Sequence, residues 1–348
     1  MNVNISFMRR EAIKSCLSKS PKTSLNLLGI KYFTKYKSKI SFHPFSLDIE
    51  PTVRCNLNCK YCQVPGWERG KKVRDLSLID FKRIVDQFPN LLIIKLQGMG
   101  EPLLNKDLWG MIDYASSKKI IVRTNSNGTL IDESMARRII NSKLTAISIS
   151  LDGATKETYD KIRRGAKFEK VIGNIKTLIK LRGTSRLPRI NVWMVATTEN
   201  YSEIPEMIEL CADLGVDKLT VQTKLGFWGK EDMKEKLEDF LLDINSDELK
   251  RIKEESTELA KKLNFNLNFY YSNWYGTDSK CPWPWESCYI TTDGYVVPCC
   301  IIANPEVINF GNILDKPFKE IWNSKKYVEF RDKIKDNEIP SYCGGCYL

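Results

Sequence analysis

Cys55-Asn56-Leu57-Asn58-Cys59-Lys60-Tyr61-Cys62 sets three thiols in the spacing C-x3-C-x2-C. Three thiolates so close in sequence hold three corners of a 4Fe–4S cube and leave the fourth iron open to a small ligand. Zinc sites ordinarily take four nitrogen or sulfur ligands, often as paired C-x2-C units. Here the first group has three cysteines, and the only histidine of the chain is His43. A disulfide framework fits poorly, because the eleven cysteines are odd in number and the N-terminus has no secretory apolar segment. A cytoplasmic location follows as an expectation. No run approaches the length of apolar sequence that a membrane span needs, so no transmembrane segment is expected.

Outward from the cysteine run, apolar strand patterns alternate with amphipathic helical ones. Segment 46–50 reads as a strand that feeds the cysteine loop. Strands are predicted at Leu91–Leu96, Ile120–Arg123, Ala146–Leu151, Arg189–Val195 and Lys218–Gln222. Helices are predicted between them at Asp107–Lys118, Glu133–Asn141, Phe168–Arg182 and Ser202–Leu214, the last with Ser202 as N-cap and Pro205 in its first turn. Strands separated by helices of this length build βαβ units and a parallel sheet, and six repeats imply a barrel, partial or complete. The Lys- and Glu-rich stretch 230–263 reads as one or two surface helices broken near Asn245-Ser246. A short strand Leu267–Tyr271 follows. From Cys281 onward the composition turns to Cys, Pro, Trp and turn residues. Asp293-Gly294 marks a hairpin within Ile290–Val297, and a helix is predicted from about Pro317 to Lys335.

The chain of 348 residues carries a net charge of +11, which on its face suggests nucleic acid. Its distribution argues otherwise. Residues 1–42 hold nine Lys or Arg against Glu11 alone, so the body of the chain is close to neutral. No nucleic-acid partner is expected. The basic arm is read as a solvated lead-in, or as a docking segment for an acidic partner or anionic lipid.

Three predicted strands end in polar, glycine-bearing turns: Gln97-Gly98-Met99-Gly100-Glu101-Pro102, Thr124-Asn125-Ser126-Asn127-Gly128, and Ser148-Ile149-Ser150-Leu151-Asp152-Gly153. In a parallel barrel these turns share the rim that carries the cysteine loop, where active sites collect.

These residues resemble the radical S-adenosylmethionine (SAM) enzymes over about 45–225. The C-x3-C-x2-C loop matches the family's cluster loop. Gly98–Pro102 is similar to its Gly-Gly-Glu-Pro motif, with Met99 intruding. Ser126-Asn127-Gly128 and Ser148–Gly153 resemble its ribose-facing turn and its Ser-Leu-Asp-Gly strand end. The resemblance implies a partial (β/α)6 TIM-like barrel. It implies a 4Fe–4S cluster on Cys55, Cys59 and Cys62 that binds S-adenosyl-L-methionine, with a flavodoxin- or ferredoxin-type reductant as partner. It places Tyr61 against the adenine and Gly98 and Gly100 against the methionine ammonium. Glu101 either accepts from that ammonium or buttresses the turn. Ser126, Asn127 and Ser150 serve the ribose or carboxylate, and Arg189 is a candidate for the carboxylate. One electron delivered to SAM then yields a 5′-deoxyadenosyl radical.

Cys281, Cys299, Cys343 and Cys346 form a second group. Four thiolates suit zinc or a fully ligated 4Fe–4S cluster equally. The run from Cys281 to Cys346 resembles the small cysteine-rich SPASM/twitch extension in its single-cluster form, which implies an auxiliary 4Fe–4S cluster. Cys300 is adjacent to Cys299 and is an alternative ligand. Cys300 and Cys288 are also candidate hydrogen-atom donors, against the plainer reading as small buried hydrophobes. Cys16 and Cys211 read as structural. Trp274, Tyr275, Trp283 and Trp285 line a substrate pocket or simply pack the small domain. The expected organisation is a basic arm at 1–44, the SAM core at 45–228, a helical linker at 229–280 and the auxiliary domain at 281–348.

The expected activity is hydrogen abstraction from a small molecule, such as a sugar or cyclitol, and its oxidation with the auxiliary cluster taking the electron. The alternatives are a maturase acting on a peptide substrate, a radical epimerase, and a non-catalytic iron–sulfur electron carrier. The N-terminal arm is short for a peptide-recognition domain, which favours the small molecule.

Overall fold

Nine strands form one sheet in the order β7-β6-β5-β4-β3-β2-β1-β8-β9 in a computed structural model, which describes residues 19–30, 37–67, 75–243, 245–270 and 281–346. The strands are β1 (Ser46–Ile49), β2 (Ile93–Leu96), β3 (Ile121–Ser126), β4 (Ala146–Ser150), β5 (Arg189–Val195), β6 (Lys218–Gln222), β7 (Leu267–Tyr270), β8 (Ser287–Ile290) and β9 (Val296–Val297). Every pair is parallel except β8 with β9. The order begins and ends on different strands, so the barrel is not closed. Parallel strands are covered on the outside by their crossover helices and read as apolar runs with a polar inner face. Ile94, Leu96, Ile147, Ile149, Val192 and Met194 supply the buried outer layer.

The helices are α1 (Pro21–Leu28), α2 (Leu78–Val85), α3 (Leu108–Ser117), α4 (Glu133–Asn141), α5 (Lys156–Ile162), α6 (Phe168–Arg182), α7 (Ile204–Leu214), α8 (Glu231–Leu237), α9 (Asp247–Lys262), α10 (Trp283–Glu286), α11 (Phe318–Trp322) and α12 (Lys325–Lys335). Several start on side-chain caps. Ser77 Oγ accepts from the Asp80 N–H, Asp132 from Met135, Thr155 from Thr158 and Ser246 from Leu249. Each such cap is worth about 1 kcal/mol. The structure corrects two predicted helices. α7 begins at Ile204 after a short 3-10 turn, with Glu203 and not Ser202 at its cap position. The predicted helix 317–335 is two helices, because Ser324 turns extended and caps α12.

The C-terminal segment continues the core sheet. β8 lies parallel to β1, with Leu47 opposite Cys288 and Asp48 opposite Tyr289. β7, within the expected linker, pairs with β6 from Leu219↔Leu267 to Gln222↔Tyr270. Behind β8, Arg331 is fully buried and donates to Trp322 O at 2.7 Å and Pro284 O at 2.9 Å. Its guanidinium lies 4.2 Å from the Trp322 ring and 4.3 Å from the Tyr327 ring. Trp285 packs in this core and donates to Lys37 O at 2.7 Å, so it is a packing residue and not a pocket wall. Trp274, Tyr275, Cys16 and most of the basic arm's charges lie outside the described residues.

Candidate functional site

At the C-terminal ends of the strands lies a cavity of ≈ 260 Å³. Cys55, Cys59 and Cys62 line it together with Tyr61, Gly98, Gly100, Glu101, Ser126, Asn127 and Ser150. All three cysteines are partly exposed and free. The Val64 N–H donates to Cys62 Sγ at 3.4 Å, and Asn127 Nδ2 stands 4.0 Å from Cys55 Sγ. Donors of this kind stabilise thiolate sulfur and tune an iron–sulfur cluster. Burial raises the Cys62 thiol to about 11, so the loop needs a cation to hold its thiolates. Among the described residues no three His, Cys, Asp or Glu groups gather around a point the size of one ion. The thiols ring a cavity instead, which suits a multi-iron cube.

The Gly-Met-Gly-Glu-Pro turn runs tight against the cysteine loop. A Cβ on Gly100 would stand 2.3 Å from Arg54 O and 2.6 Å from Thr52 O, both backbone atoms, so only glycine fits that approach. Met99 N–H donates to Glu50 Oε1 at 2.9 Å. Glu101 is 2 % exposed, and its carboxylate accepts from the Asn127 N–H at 2.7 Å and the Leu103 N–H at 3.2 Å. It therefore buttresses the turn against the end of β3. Burial raises its pKa to about 6, against the pull of those hydrogen bonds. Ser126 Oγ accepts from the Gly128 N–H at 3.0 Å. Tyr61 presents its ring to the cavity, while its hydroxyl donates to Glu199 behind it and its ring packs 4.9 Å from that of Phe240. Lys60 and Lys161 hold Glu199 in turn, each at 2.7 Å.

Arg189 does not reach this cavity. It opens β5, at the end of the strand remote from the cavity, and donates to Asp217 O at 3.1 Å; Val195, at the other end, is the β5 residue that lines the cavity. Strand direction decides this, since in a parallel barrel only the C-terminal ends meet the rim. The arginine that does line the cavity is Arg163, just beyond α5, which sequence reasoning missed. Its Nε donates to Asp152 Oδ2 at 2.6 Å, and its charge acts on Cys59. The available signal was Arg163-Arg164-Gly165, one helix after the Asp152-Gly153 turn.

A second cavity of ≈ 290 Å³ is lined by Cys281, Cys299, Cys300, Cys343 and Cys346. Burial pushes the Cys299 thiol up, and the nearby Cys300, Cys346, Cys281 and Cys343 add to this, so the four expected ligands converge around it. Cys300 lines the same cavity and also packs against the buried group of Tyr289, Val297 and Ala303, with Asp48 and Lys95 nearby. Cys288 is 0 % exposed within the main core and lines neither cysteine-ringed cavity, which leaves no path to a substrate carbon; as a hydrogen donor it is displaced by its position on β8. Gln222, Leu225 and Gly226 line both cavities.

A half-open parallel barrel with a three-thiol cavity on its rim and a five-thiol cavity beside it defines a radical SAM enzyme with an auxiliary cluster domain. The family model of the radical SAM superfamily matches residues 49–211, and that of the SPASM iron–sulfur cluster-binding domain matches 281–347. The chain belongs to the radical SAM superfamily and carries a C-terminal SPASM domain; its cofactors are SAM, the SAM-binding 4Fe–4S cluster and an auxiliary cluster. It is 29% identical over 325 residues to the tungsten-containing aldehyde ferredoxin oxidoreductase cofactor-modifying protein of Pyrococcus furiosus, covering 87% of each chain. It is 27% identical over 315 residues to the PqqA peptide cyclase of Gluconobacter oxydans, covering 87% of this chain and 82% of the relative. Among solved structures, SuiB of Streptococcus suis bound to its precursor peptide SuiA shares the fold at a TM-score of 0.67 and 18% identity, over 89% of this chain and 71% of that one. No helix among the described residues is long and apolar enough to cross a membrane.

Proposed function

We propose that this enzyme oxidises a peptide substrate, with Cys55, Cys59 and Cys62 holding the SAM-binding cluster and Cys281, Cys299, Cys343 and Cys346 the auxiliary one. The core then spans 45–228, the linker 229–280 and the auxiliary domain 281–348, after an arm at 1–44. The observation that carries the reading is the shared wall of Gln222, Leu225 and Gly226 between the two cavities. A substrate carbon seated there faces both sites. When loaded, the first cluster supplies the electron that splits SAM into methionine and a 5′-deoxyadenosyl radical. The chain's own residues position and shield. The Gly98–Gly100 turn offers backbone carbonyls to the ammonium, Tyr61 lies along the adenine, and Ser126, Asn127 and Ser150 face the ribose. The substrate would give one hydrogen atom to the 5′-deoxyadenosyl radical, recovered as 5′-deoxyadenosine, and lose a second as a proton released to solvent plus an electron. A cluster held by Cys281, Cys299, Cys343 and Cys346 would supply an acceptor for that electron, and a flavodoxin- or ferredoxin-type carrier would take it onward.

A peptide is favoured over the sugar or cyclitol of the sequence-based expectation by similarity to the PqqA peptide cyclase along 87% of the chain. The similarity to the Pyrococcus cofactor-modifying protein, equally long, supports a second reading in which the substrate is a cofactor. The test is anaerobic reconstitution to about eight irons per chain, followed by incubation with SAM, reductant and peptides encoded beside the gene. Loss of two hydrogens from a peptide, matched by 5′-deoxyadenosine and abolished by Ala at Cys55, Cys59 and Cys62, supports the proposal. Unchanged peptides beside an oxidised sugar or cofactor would overturn it.

A further inference from the structure

Deeper in the barrel lies a smaller cavity of ≈ 120 Å³, and Asn125 lines both it and the SAM cavity. Four cations line it: Lys95 on β2, Arg123 on β3, Arg189 on β5 and Lys218 on β6. No carboxylate does. Lys95 and Arg123 are register partners on adjacent strands, so both point to the same interior. Parallel-barrel interiors are normally filled by packed apolar layers, which makes this concentration of one sign a feature to be explained.

The nearest carboxylates are already engaged. Asp48 accepts from Gln97 Nε2 at 2.6 Å; burial pushes its pKa up, while the charges of Lys95 and Arg123 pull it down, so one carboxylate offsets part of the charge of two cations. Asp217 is paired with Arg182, stands 4.0 Å from Arg189, and accepts from the Ile190 N–H at 2.7 Å. Lys95, Arg123 and Lys218 form no ion pair with any described carboxylate. Arg123 Nε is buried without a hydrogen-bond partner. So is the Oγ1 of Thr220, a residue 1 % exposed that lines the cavity. Lys95 has Asp48 as its register partner on β1, close enough for the two charges to act on each other, and lies 5.4 Å from the Trp193 ring. Burial, with Arg123, Arg189 and Lys95, lowers Lys218 to about 8. Lys95, Arg123 and Lys218 are half-buried, so the mutual repulsion of like charges in one cavity is only partly screened by solvent, and the unpaired Thr220 hydroxyl adds to the cost. The cavity has the donors, the charge and the volume for one small oxyanion, and too little room for a nucleotide or a cluster.

We infer that this cavity seats an oxyanion of the substrate, a carboxylate held by Lys95, Arg123 and Lys218 with Thr220 as a further donor. The choice of a carboxylate rests on the peptide reading, in which an acidic side chain or the C-terminus supplies it. Anchored there, the substrate extends past Asn125 toward the SAM cavity, and the anchor selects which residue meets the radical.

The test is thermal unfolding of the full, reconstituted chain at constant ionic strength, with chloride replaced stepwise by acetate or by inorganic phosphate. Acetate should raise Tm along a saturable curve. Lys95→Gln and Lys218→Gln should each weaken that response by about tenfold or more, the loss of one charge-assisted hydrogen bond. An absent or linear acetate response in the wild type would overturn the inference, as would two variants that respond like the wild type. Phosphate saturating more tightly than acetate would overturn the carboxylate assignment. Peptides left unmodified by a protein that does bind acetate here would refute the peptide reading and leave the anion seat standing.

Discussion

The Tyr289 hydroxyl donates to Glu50 Oε1 at 2.9 Å, inside the sheet where the SPASM segment joins the core. The same oxygen accepts from the Met99 N–H at 2.9 Å, and Oε2 accepts from both the N–H and the Oγ1 of Thr292, at 3.1 and 2.8 Å. One buried carboxylate therefore ties the Gly98–Gly100 turn to β8 and the turn that follows it. Glu50→Ala leaves four buried donors without an acceptor and should cost about 3–5 kcal/mol. Glu50→Gln, which keeps one acceptor, should cost less. Urea unfolding of both variants checks the order, and a wild-type midpoint for the alanine variant would refute the role.

Gly100 admits no side chain. Its Cβ would press on two backbone carbonyls of the cysteine loop, and backbone cannot rotate aside. Gly100→Ala should raise the SAM dissociation constant at least about tenfold and destabilise the fold by about 2 kcal/mol. Equilibrium dialysis with radiolabelled SAM measures the first, and denaturant unfolding the second.

Glu101 confers a pH dependence with a definite sign. Its pKa rises from the ordinary 4.5 to about 6 because burial disfavours the charge. The folded state then holds the proton more tightly than the unfolded chain. The resulting stabilisation is complete below the unfolded value and is lost as pH climbs through the folded one. The loss amounts to roughly 2 kcal/mol. The stability of wild type relative to Glu101→Gln should therefore fall between about pH 4.5 and pH 6.5 and stay flat above. Parallel unfolding curves across that range test it; a difference that grows with pH would refute it.

What could be read from sequence was what chain neighbours decide. The cysteine run, the span of β5 from Arg189 to Val195 and that of β6 from Lys218 to Gln222 follow from local spacing and period. Strand neighbours do not, because pairing is set by long-range packing, and nothing near Cys288 announces that β8 lies beside β1. Glu50 looked like any acidic strand end, since its partners come from positions 99, 289 and 292. Arg189 and Arg163 show the same limit. A strand arginine drew attention, but only the direction of the strand shows that Arg189 sits at the wrong end and that Arg163, beyond a helix, sits at the right one.

Cys299 and Cys300 line the same cavity, and their surroundings differ. Cys299 neighbours Cys281, Cys343 and Cys346 as well as Cys300, whereas Cys300 also packs against the buried group of Tyr289, Val297 and Ala303 and neighbours Asp48 and Lys95. Cys299→Ser should lower the reconstituted iron content from about eight to about four per chain, and Cys300→Ser should leave it near eight. Iron and labile sulfide assays decide between them. The reverse pattern would make Cys300 the ligand.

Arg163 is the cation that faces the first cluster site from the barrel wall, clamped by Asp152 at 2.6 Å and acting electrostatically on Cys59. Asp152 is fixed in turn, since its Oδ1 accepts from the Val195 N–H at 2.8 Å and its carbonyl from Asn200 Nδ2 at 2.9 Å. A positive charge held this firmly would stabilise a reduced cluster on the three cysteines and would offer a partner to the SAM carboxylate. Arg163→Gln removes the charge and leaves Asp152 one weaker, neutral donor. The midpoint potential of the SAM-binding cluster should become more negative by tens of millivolts, as expected for one charge lost at short range in a partly solvated site. SAM binding should weaken by about tenfold. Arg163→Lys, which keeps the charge but not the fork, should restore most of the potential and less of the affinity. Redox titration followed by electron paramagnetic resonance reads the potential, and dialysis the affinity. An unchanged potential in Arg163→Gln would show that the guanidinium serves only to fix Asp152.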